Sequence, residues 1–452
     1  MRTMTDTQVN VDAKEMVGGE DLSRILVSSP SPQSVHDLPS ATAVYAWPSI
    51  LAPYLSTALT HRGSYTESEI LHHTAFFAKH VSSWLGPGPT GSNRAQYPSS
   101  MTKDYTPFEL SFCWKSAQQN GTPIVRYVID IFPQDPTSDR RGSLSRALDA
   151  IASLNVLSKE PDNQLSVFPE LWSHVTRFFM SIEATLHATP CESCRPSSTF
   201  IGFDLVATQT RAKLYWLLPS CQSTPDLLQT IDQLFETCAS VNPFFASTSF
   251  TAGWSQLREH VAANAESLRP RMVSIDATRW PAPRVKFYTR CVFAESNNGF
   301  GVIRPHLTLD GKLSLESDFE NTCERLWEGL VQKEGEKRSK YCMLLWDIGV
   351  EGTVGSKLYI MCQEIPRTDV VVAGKVLECC RASAGAGLLE AFAAKDTPSA
   401  FIGEIGLAPR GAETEVSIYA SPCWFSKDLW KEGEDEEGLL EKICPYGGMY
   451  GS

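Results

Sequence analysis

The chain has 452 residues, 42% of them hydrophobic and 20% charged, which describes a globular protein and not a disordered or fibrous one. Its formal net charge of −12 makes the surface as a whole repel nucleic acid and anionic membranes, so any anion site must be a local concentration of Lys and Arg. The 13 cysteines are odd in number and scattered through a chain too long to need covalent staples, which favours reduced thiols over a disulfide framework.

Residues 1–40 are polar, rich in Ser, Pro and Asp, and read as a disordered lead-in without the apolar stretch of a secretory signal. No run of about 18 apolar residues occurs, so no membrane span is expected and the protein should be soluble and cytoplasmic. One folded domain is expected over 41–426, followed by an acidic extension over 427–452 that contains EGEDEEGLLEK.

Within the domain, PFELSFCWKSA and PIVRYVIDIFP make a first pair of strands. LSRALDAIASLNVL and PELWSHVTRFFMSIEATLHA follow with the apolar spacing of amphipathic helices. CESC, at 191–194, has neither a second CxxC nor a neighbouring His pair, and reads as a loop with two thiols in preference to a metal site. TFIGFDLVA and RAKLYWLLPS are two strands across a short turn, and PDLLQTIDQLFETCASV returns to helix. RVKFYTRCVFA is a strand, SDFENTCERLWEGLVQK a helix, and YCMLLWDIGV with SKLYIMCQEI a further strand pair. VAGKVLECCRASAGAGLLEAFAAK closes the helical series before the strands AFIGEIGLAP and TEVSIYASP. Pairs of helices and pairs of strands thus alternate about five times, and the short links within each strand pair imply antiparallel hairpins.

Side chains two apart on a strand share a face. Lys213 and Tyr215 therefore lie together, opposite Leu214 and Trp216; Arg284, Lys286 and Tyr288 lie together, opposite Val285 and Phe287; Lys357 and Tyr359 lie opposite Leu358 and Ile360. Arg126 and Tyr419 extend the pattern to five strands. A solvated strand face would mix Glu, Thr, Ser and Lys, whereas these positions hold only Arg, Lys and Tyr. With apolar faces opposite and apolar helix stripes to bury, the consistent arrangement is a closed barrel with helices outside and the cation–tyrosine face within.

Such a lumen suits a diphosphate, bound by Lys and Arg through charge-assisted bonds, beside a transient carbocation sheltered by tyrosine π-faces. A diphosphate that leaves an allylic cation is an isoprenoid donor. Glu109, a carboxylate on the otherwise apolar strand PFELSFCW, is the candidate catalytic residue: it can hold an aromatic acceptor through an N–H or O–H and raise the ring's electron density during attack. The alternative for Glu109 is a surface position or a pair with a lumen Arg. No DDxxD, GxxxxGK[ST], HExxH or GxSxG motif is present, so metal-carboxylate, phosphate-loop and hydrolase chemistries lack their signatures.

The ordered set FELS, VRY, FDL with KLY, RVKFY and KLY, together with HRGSYTESEILHHTAFFAKHVSSWLGP and VSIYASP, resembles the fungal aromatic prenyltransferases of the dimethylallyltryptophan synthase type. The resemblance implies an α+β fold: a closed antiparallel ten-stranded barrel ringed by helices and built from ααββ units. It implies metal-independent, cofactor-free transfer of a dimethylallyl group from its diphosphate, or from a longer prenyl diphosphate, to an electron-rich aromatic acceptor, an indole above all. By position, Glu109 is similar to the acceptor-anchoring glutamate, Arg126, Lys213, Arg284, Lys286 and Lys357 to the diphosphate ligands, and Tyr215, Tyr288, Tyr359 and Tyr419 to the tyrosine shield. The sequence departs from the family at Lys357, where many members carry glutamine, at Thr199, where several carry a lysine ahead of FDL, and at Glu404, where tyrosine or serine is commoner. A phenolic, polyketide or xanthone acceptor is the second reading, and a non-catalytic barrel holding an anionic lipid or aromatic metabolite is the third. No nucleic-acid or membrane partner is expected, and the chain is read as a monomer or homodimer.

Overall fold

The computed structural model describes residues 46–422 apart from 63–64, 90–98, 103–104, 115–122, 136–138, 161–162, 187–190, 192–193, 278–282, 294–298, 332–340, 363–364, 366–368, 381–401 and 412. The expected lead-in, the acidic extension and the 381–395 part of the last expected helix lie outside the described residues.

Two helices, α1 (Trp47–Arg62) and α2 (Glu67–Phe76), precede strands β1 (Phe108–Trp114) and β2 (Ile124–Asp130). Helix α3 (Arg140–Leu157), a three-residue strand β3 (Gln164–Ser166) and α4 (Pro169–Leu186) lead to β4 (Thr199–Val206) and β5 (Gln209–Leu217). Helices α5 (Thr224–Cys238) and α6 (Thr248–Ala263) precede β6 (Leu268–Asp276) and β7 (Val285–Val292). Helices α7 (Phe300–Leu307) and α8 (Ser317–Leu330) precede β8 (Tyr341–Ile348) and β9 (Val354–Met361), and α9 (Asp369–Cys380) comes before β10 (Ile402–Arg410) and β11 (Glu413–Ala420). The helix starts are written locally. Thr66 and Glu69 form a reciprocal capping box, the Asp139 carboxylate accepts from the amides of Arg141 and Gly142, and Ser223 caps α5 ahead of Pro225.

Every hairpin in the strand series is antiparallel, in the order β5-β4-β2-β1-β11-β10-β9-β8-β7-β6, and the β5–β6 pairing closes the sheet into a ten-stranded barrel; β3 adds to the end of β5 in parallel. Closure pairs every strand on both sides and so removes the exposed edges that an open sheet would present.

Six elements, α1, α2, β3, α6, β6 and α7, have no counterpart among the expected helices and strands. β6 goes unannounced because LRPRMVSID carries two arginines and Pro270, residues that argue against a central strand. The structure accommodates the proline at a register shift between Pro270 and Met272, where a missing N–H costs least.

The apolar core lies between the barrel wall and the helices. Leu214, Trp216, Phe287, Leu358, Ile360, Ile405 and Ile418 point outward from the barrel and are buried against helix residues such as Trp172, Leu228 and Trp327. Burial of large apolar side chains contributes about 1.5–3 kcal/mol each, which fixes which strand face turns outward and leaves the polar face inside. Two indoles also key the helices to the barrel: Trp172 donates to the Ile275 carbonyl at 3.1 Å and Trp216 to the Thr176 hydroxyl at 3.0 Å.

Candidate active site

The inward faces surround a cavity of about 260 Å³. Nine of the sequence candidates line it: Arg126, Lys213, Arg284, Lys286 and Lys357 among the cations, and Tyr215, Tyr288, Tyr359 and Tyr419 among the phenols. Glu109 is not among the lining residues, although it is buried and shares the inward face of β1 with Ser111, which does line the cavity. It stands in register opposite Val128, another lining residue, so it sits one pleat further along the barrel axis. Arg290, the last cation of RVKFYTR, is not part of the cavity wall; its guanidinium stacks on the Tyr341 ring at 4.1 Å.

The four tyrosines form a continuous belt across alternate strands, β5, β7, β9 and β11. Ring centroids are 6.1 Å apart for Tyr215–Tyr288, 6.1 Å for Tyr288–Tyr359 and 5.7 Å for Tyr359–Tyr419, all tilted. The Lys357 ammonium lies 5.1 Å from the Tyr359 ring centroid and 5.9 Å from that of Tyr419. One wall of the cavity therefore presents successive π-faces, a surface that attracts positive charge yet offers no strong nucleophile.

The expectation that the inward face holds only Arg, Lys and Tyr is corrected by four carboxylates, each interleaved with the cations. Asp204 on β4 pairs with Lys213 at 2.5 Å and with Arg126 at 3.2 Å. Asp276, on the strand missed in the sequence, accepts from Lys286 at 2.6 Å and from Arg284 at 2.7 Å, and Asp347 lies 3.5 Å from Arg284. Glu415 accepts from Arg410 at 2.9 Å and lies 3.4 Å from Lys357, whose ammonium also donates to the Ser417 hydroxyl at 3.2 Å. The signal was present in the strands FDL and SID, but an isolated Asp at a strand end carries no address until its neighbours are known.

These pairs set the charge states. Burial alone would raise Asp204, but Lys213 and Arg126 hold it down at about 2. Burial also opposes ionisation of Asp276 and Glu415, and the adjoining cations overcome it, keeping both well below the usual carboxylate range. Burial, and then Arg284, pull Lys286 below the ordinary ammonium value against the attraction of Asp276. For Lys357 burial works against the charge, and Tyr419 with Glu415 more than offset it. With Arg211 and Arg410, seven cations and four carboxylates line the cavity, a surplus of three positive charges inside a chain of net charge −12.

The family model for tryptophan dimethylallyltransferase matches residues 44–387, more than half the chain. The chain belongs to that family. Among its curated relatives, a 4-O-dimethylallyl-L-tyrosine synthase from Claviceps purpurea is 24% identical over 267 residues, covering 58% of this chain and 56% of the relative, so the match spans little more than half that enzyme's length. An indole diterpene prenyltransferase from Tolypocladium album is 25% identical over 309 residues, covering 66% and 68% of the two chains. Among solved structures, AnaPT from Neosartorya fischeri superposes with a TM-score of 0.63 at 17% identity, covering 82% of this chain and 91% of that one. The prenyltransferase PriB, solved with L-tryptophan and dimethylallyl thiolodiphosphate, superposes with a TM-score of 0.60 at 14% identity, over 84% and 96%. The fold of this tryptophan dimethylallyltransferase family member is therefore the prenyltransferase barrel.

In this family member Gly406 escaped the sequence reading, and Glu404 stood there only as a departure from the family pattern. Gly406 lies on β10 where a Cβ would stand 2.6 Å from Cε of Lys357 and 3.2 Å from Cε1 of Tyr359, so its bare backbone is what lets the ammonium cross the strand. Glu404 shares that inward face, opposite Tyr419 and Met361, and burial, opposed by Lys357, pushes its carboxyl up to about 7.

Proposed function

We propose that the protein transfers a dimethylallyl group from dimethylallyl diphosphate to an electron-rich aromatic acceptor, an indole. The observation that carries this reading is the juxtaposition of a cation-rich pocket with an unbroken belt of four tyrosines. The excess positive charge is suited to the trianionic diphosphate, and the carboxylates Asp204, Asp276 and Glu415 hold the cations in place before it arrives. When the C–O bond of the donor ionises, the electron pair leaves with the diphosphate, whose growing charge Arg126, Lys213, Arg284, Lys286 and Lys357 stabilise. The allylic cation then faces Tyr215, Tyr288, Tyr359 and Tyr419, which stabilise it and keep water away.

Glu109 is assigned to orient the acceptor from the next pleat of the barrel, accepting its N–H so that the aromatic ring faces the cation. A ring carbon forms the new C–C bond, and loss of its proton restores aromaticity. Relatives named for indole substrates support the acceptor class. The tyrosine synthase among them makes phenols the necessary control.

The test is incubation of the purified protein with dimethylallyl diphosphate and a panel of indoles and phenols, in EDTA and again with magnesium, read by mass spectrometry. Prenylated indoles in both conditions are expected. Products from phenols alone would replace the acceptor assignment, and donor binding without release of diphosphate would overturn catalysis altogether.

A further inference from the structure

The CESC turn acquires a third thiol in the folded chain. Cys191 and Cys194 lie just ahead of β4, and Cys221 lies just beyond β5. β4 and β5 are antiparallel partners, with Thr199 opposite Trp216 and the Leu217 amide bonded to the Ser198 carbonyl at 2.9 Å. The entry to one strand and the exit from the other therefore coincide at the open end of the hairpin. The three sulfurs all lie within 4.8 Å of one another, and none of the three residues lines the cavity.

The cluster differs from the chain's other described cysteines. Cys113, Cys238, Cys291, Cys323, Cys342, Cys362 and Cys379 are buried, as packing residues are, whereas Cys191 and Cys194 are half-buried and Cys221 is exposed. A path from solvent to the sulfurs is thus open. The supporting structure is firm. The Cys194 amide donates to the Cys191 carbonyl at 3.1 Å, and the Ser220 hydroxyl donates to the Cys194 sulfur at 3.6 Å. The Arg140 guanidinium clamps the backbone on both sides, donating to the carbonyls of Ser197 at 2.5 Å and Leu217 at 2.6 Å while its Nε pairs with Glu183 at 2.6 Å.

We infer that Cys191, Cys194 and Cys221 form a binding site for one thiophilic d10 cation of the zinc type, clipping the open end of the β4–β5 hairpin. Around zinc, with Zn–S bonds of about 2.3 Å, tetrahedral geometry separates the sulfurs by about 3.8 Å, so small rotations of side chains already within 4.8 Å suffice. A disulfide joins two sulfurs at about 2.05 Å and leaves the third unused, whereas a single cation engages all three. On binding, each thiol that ligates as thiolate loses its proton to solvent and no electron is transferred. The fourth position falls to water. The Ser220 hydroxyl supplies the Cys194 sulfur with a hydrogen bond of the kind a tris-thiolate site needs around it. Because the site stands apart from the cavity, its role is to hold the hairpin that carries Lys213 and Tyr215, not to take part in prenyl transfer.

The protein, purified under reducing conditions and stripped with a chelator, is titrated with zinc against a competing indicator and, in parallel, with cadmium to read the sulfur-to-cadmium charge-transfer absorption. One tight equivalent is expected, lost in Cys221→Ser, whose side chain is exposed and whose change leaves the core untouched, and lost in the triple variant C191S/C194S/C221S. Zinc should raise the melting temperature of the stripped wild type without changing that of the triple variant, while affinity for inorganic pyrophosphate stays the same. A wild type that binds no more metal than the triple variant overturns the inference. So does a disulfide between two of these cysteines in the reduced, purified protein, detected by peptide mass spectrometry.

Discussion

Asp276→Asn tests whether the lumen carboxylates preorganise the cations. Asp276 receives Lys286 on Oδ1 at 2.6 Å and Arg284 on Oδ2 at 2.7 Å, and its side chain is only 6% exposed. Asparagine keeps the shape and one acceptor but removes the charge and turns an N–H₂ group toward a cation. Removing one partner of a buried ion pair costs about 3–5 kcal/mol. The Arg284 side chain is 35% exposed, which screens its share, so the lower end, about 3 kcal/mol, is expected for the ligand-free protein. The substitution also raises the cavity's surplus from three positive charges to four. An entering diphosphate supplies the negative charge the variant has lost, so saturating pyrophosphate should stabilise the variant more than the wild type and narrow the gap between them. The assay is urea unfolding of both proteins with and without pyrophosphate. A variant as stable as the wild type without ligand, or a gap that pyrophosphate leaves unchanged, refutes the reasoning.

Lys286→Ala should lower kcat/KM by an amount on the order of 2–4 kcal/mol of transition-state stabilisation, by analogy with loss of one preorganised donor, and turnover at the parental rate would remove Lys286 from the donor site. Tyr359→Ala opens the middle of the tyrosine belt and should shift products from prenylated acceptor toward prenyl alcohol, by roughly 1 kcal/mol in the ratio measured by mass spectrometry. Gly406→Ala displaces the Lys357 side chain, because the clash is with the far end of a flexible group; the KM for the donor should rise on the order of tenfold while the melting temperature barely moves. Asp204, held at about 2 against an ordinary 3.8, contributes about 2 kcal/mol of stability that is fully present above 3.8 and lost as pH falls through about 2. Acid unfolding of Asp204→Asn should lack that component, and identical acid profiles would contradict the ion-pair assignment.

The alternation of faces was written in the chain. Lys213 with Tyr215, Lys286 with Tyr288 and Lys357 with Tyr359 stand two apart, and period two is a local property that survives whatever the strands pair with. The apolar residues between them named the face that must be buried, and hence which face turns inward. Local sequence therefore determined that a cation–tyrosine surface exists and that hairpins carry it. Pairing across strands was decided only by the tertiary structure, because register and closure depend on contacts between residues far apart in sequence. Asp276 became the partner of Lys286, Glu415 that of Lys357 and Arg410, and Cys221 the neighbour of Cys191 and Cys194 through closure and hairpin geometry, which no local period records. The β6 strand shows the same division: Pro270 and its two arginines speak against a strand locally, and the barrel overrides them because an unclosed β5 edge and an unpaired β7 would leave two rows of backbone hydrogen bonds unmade.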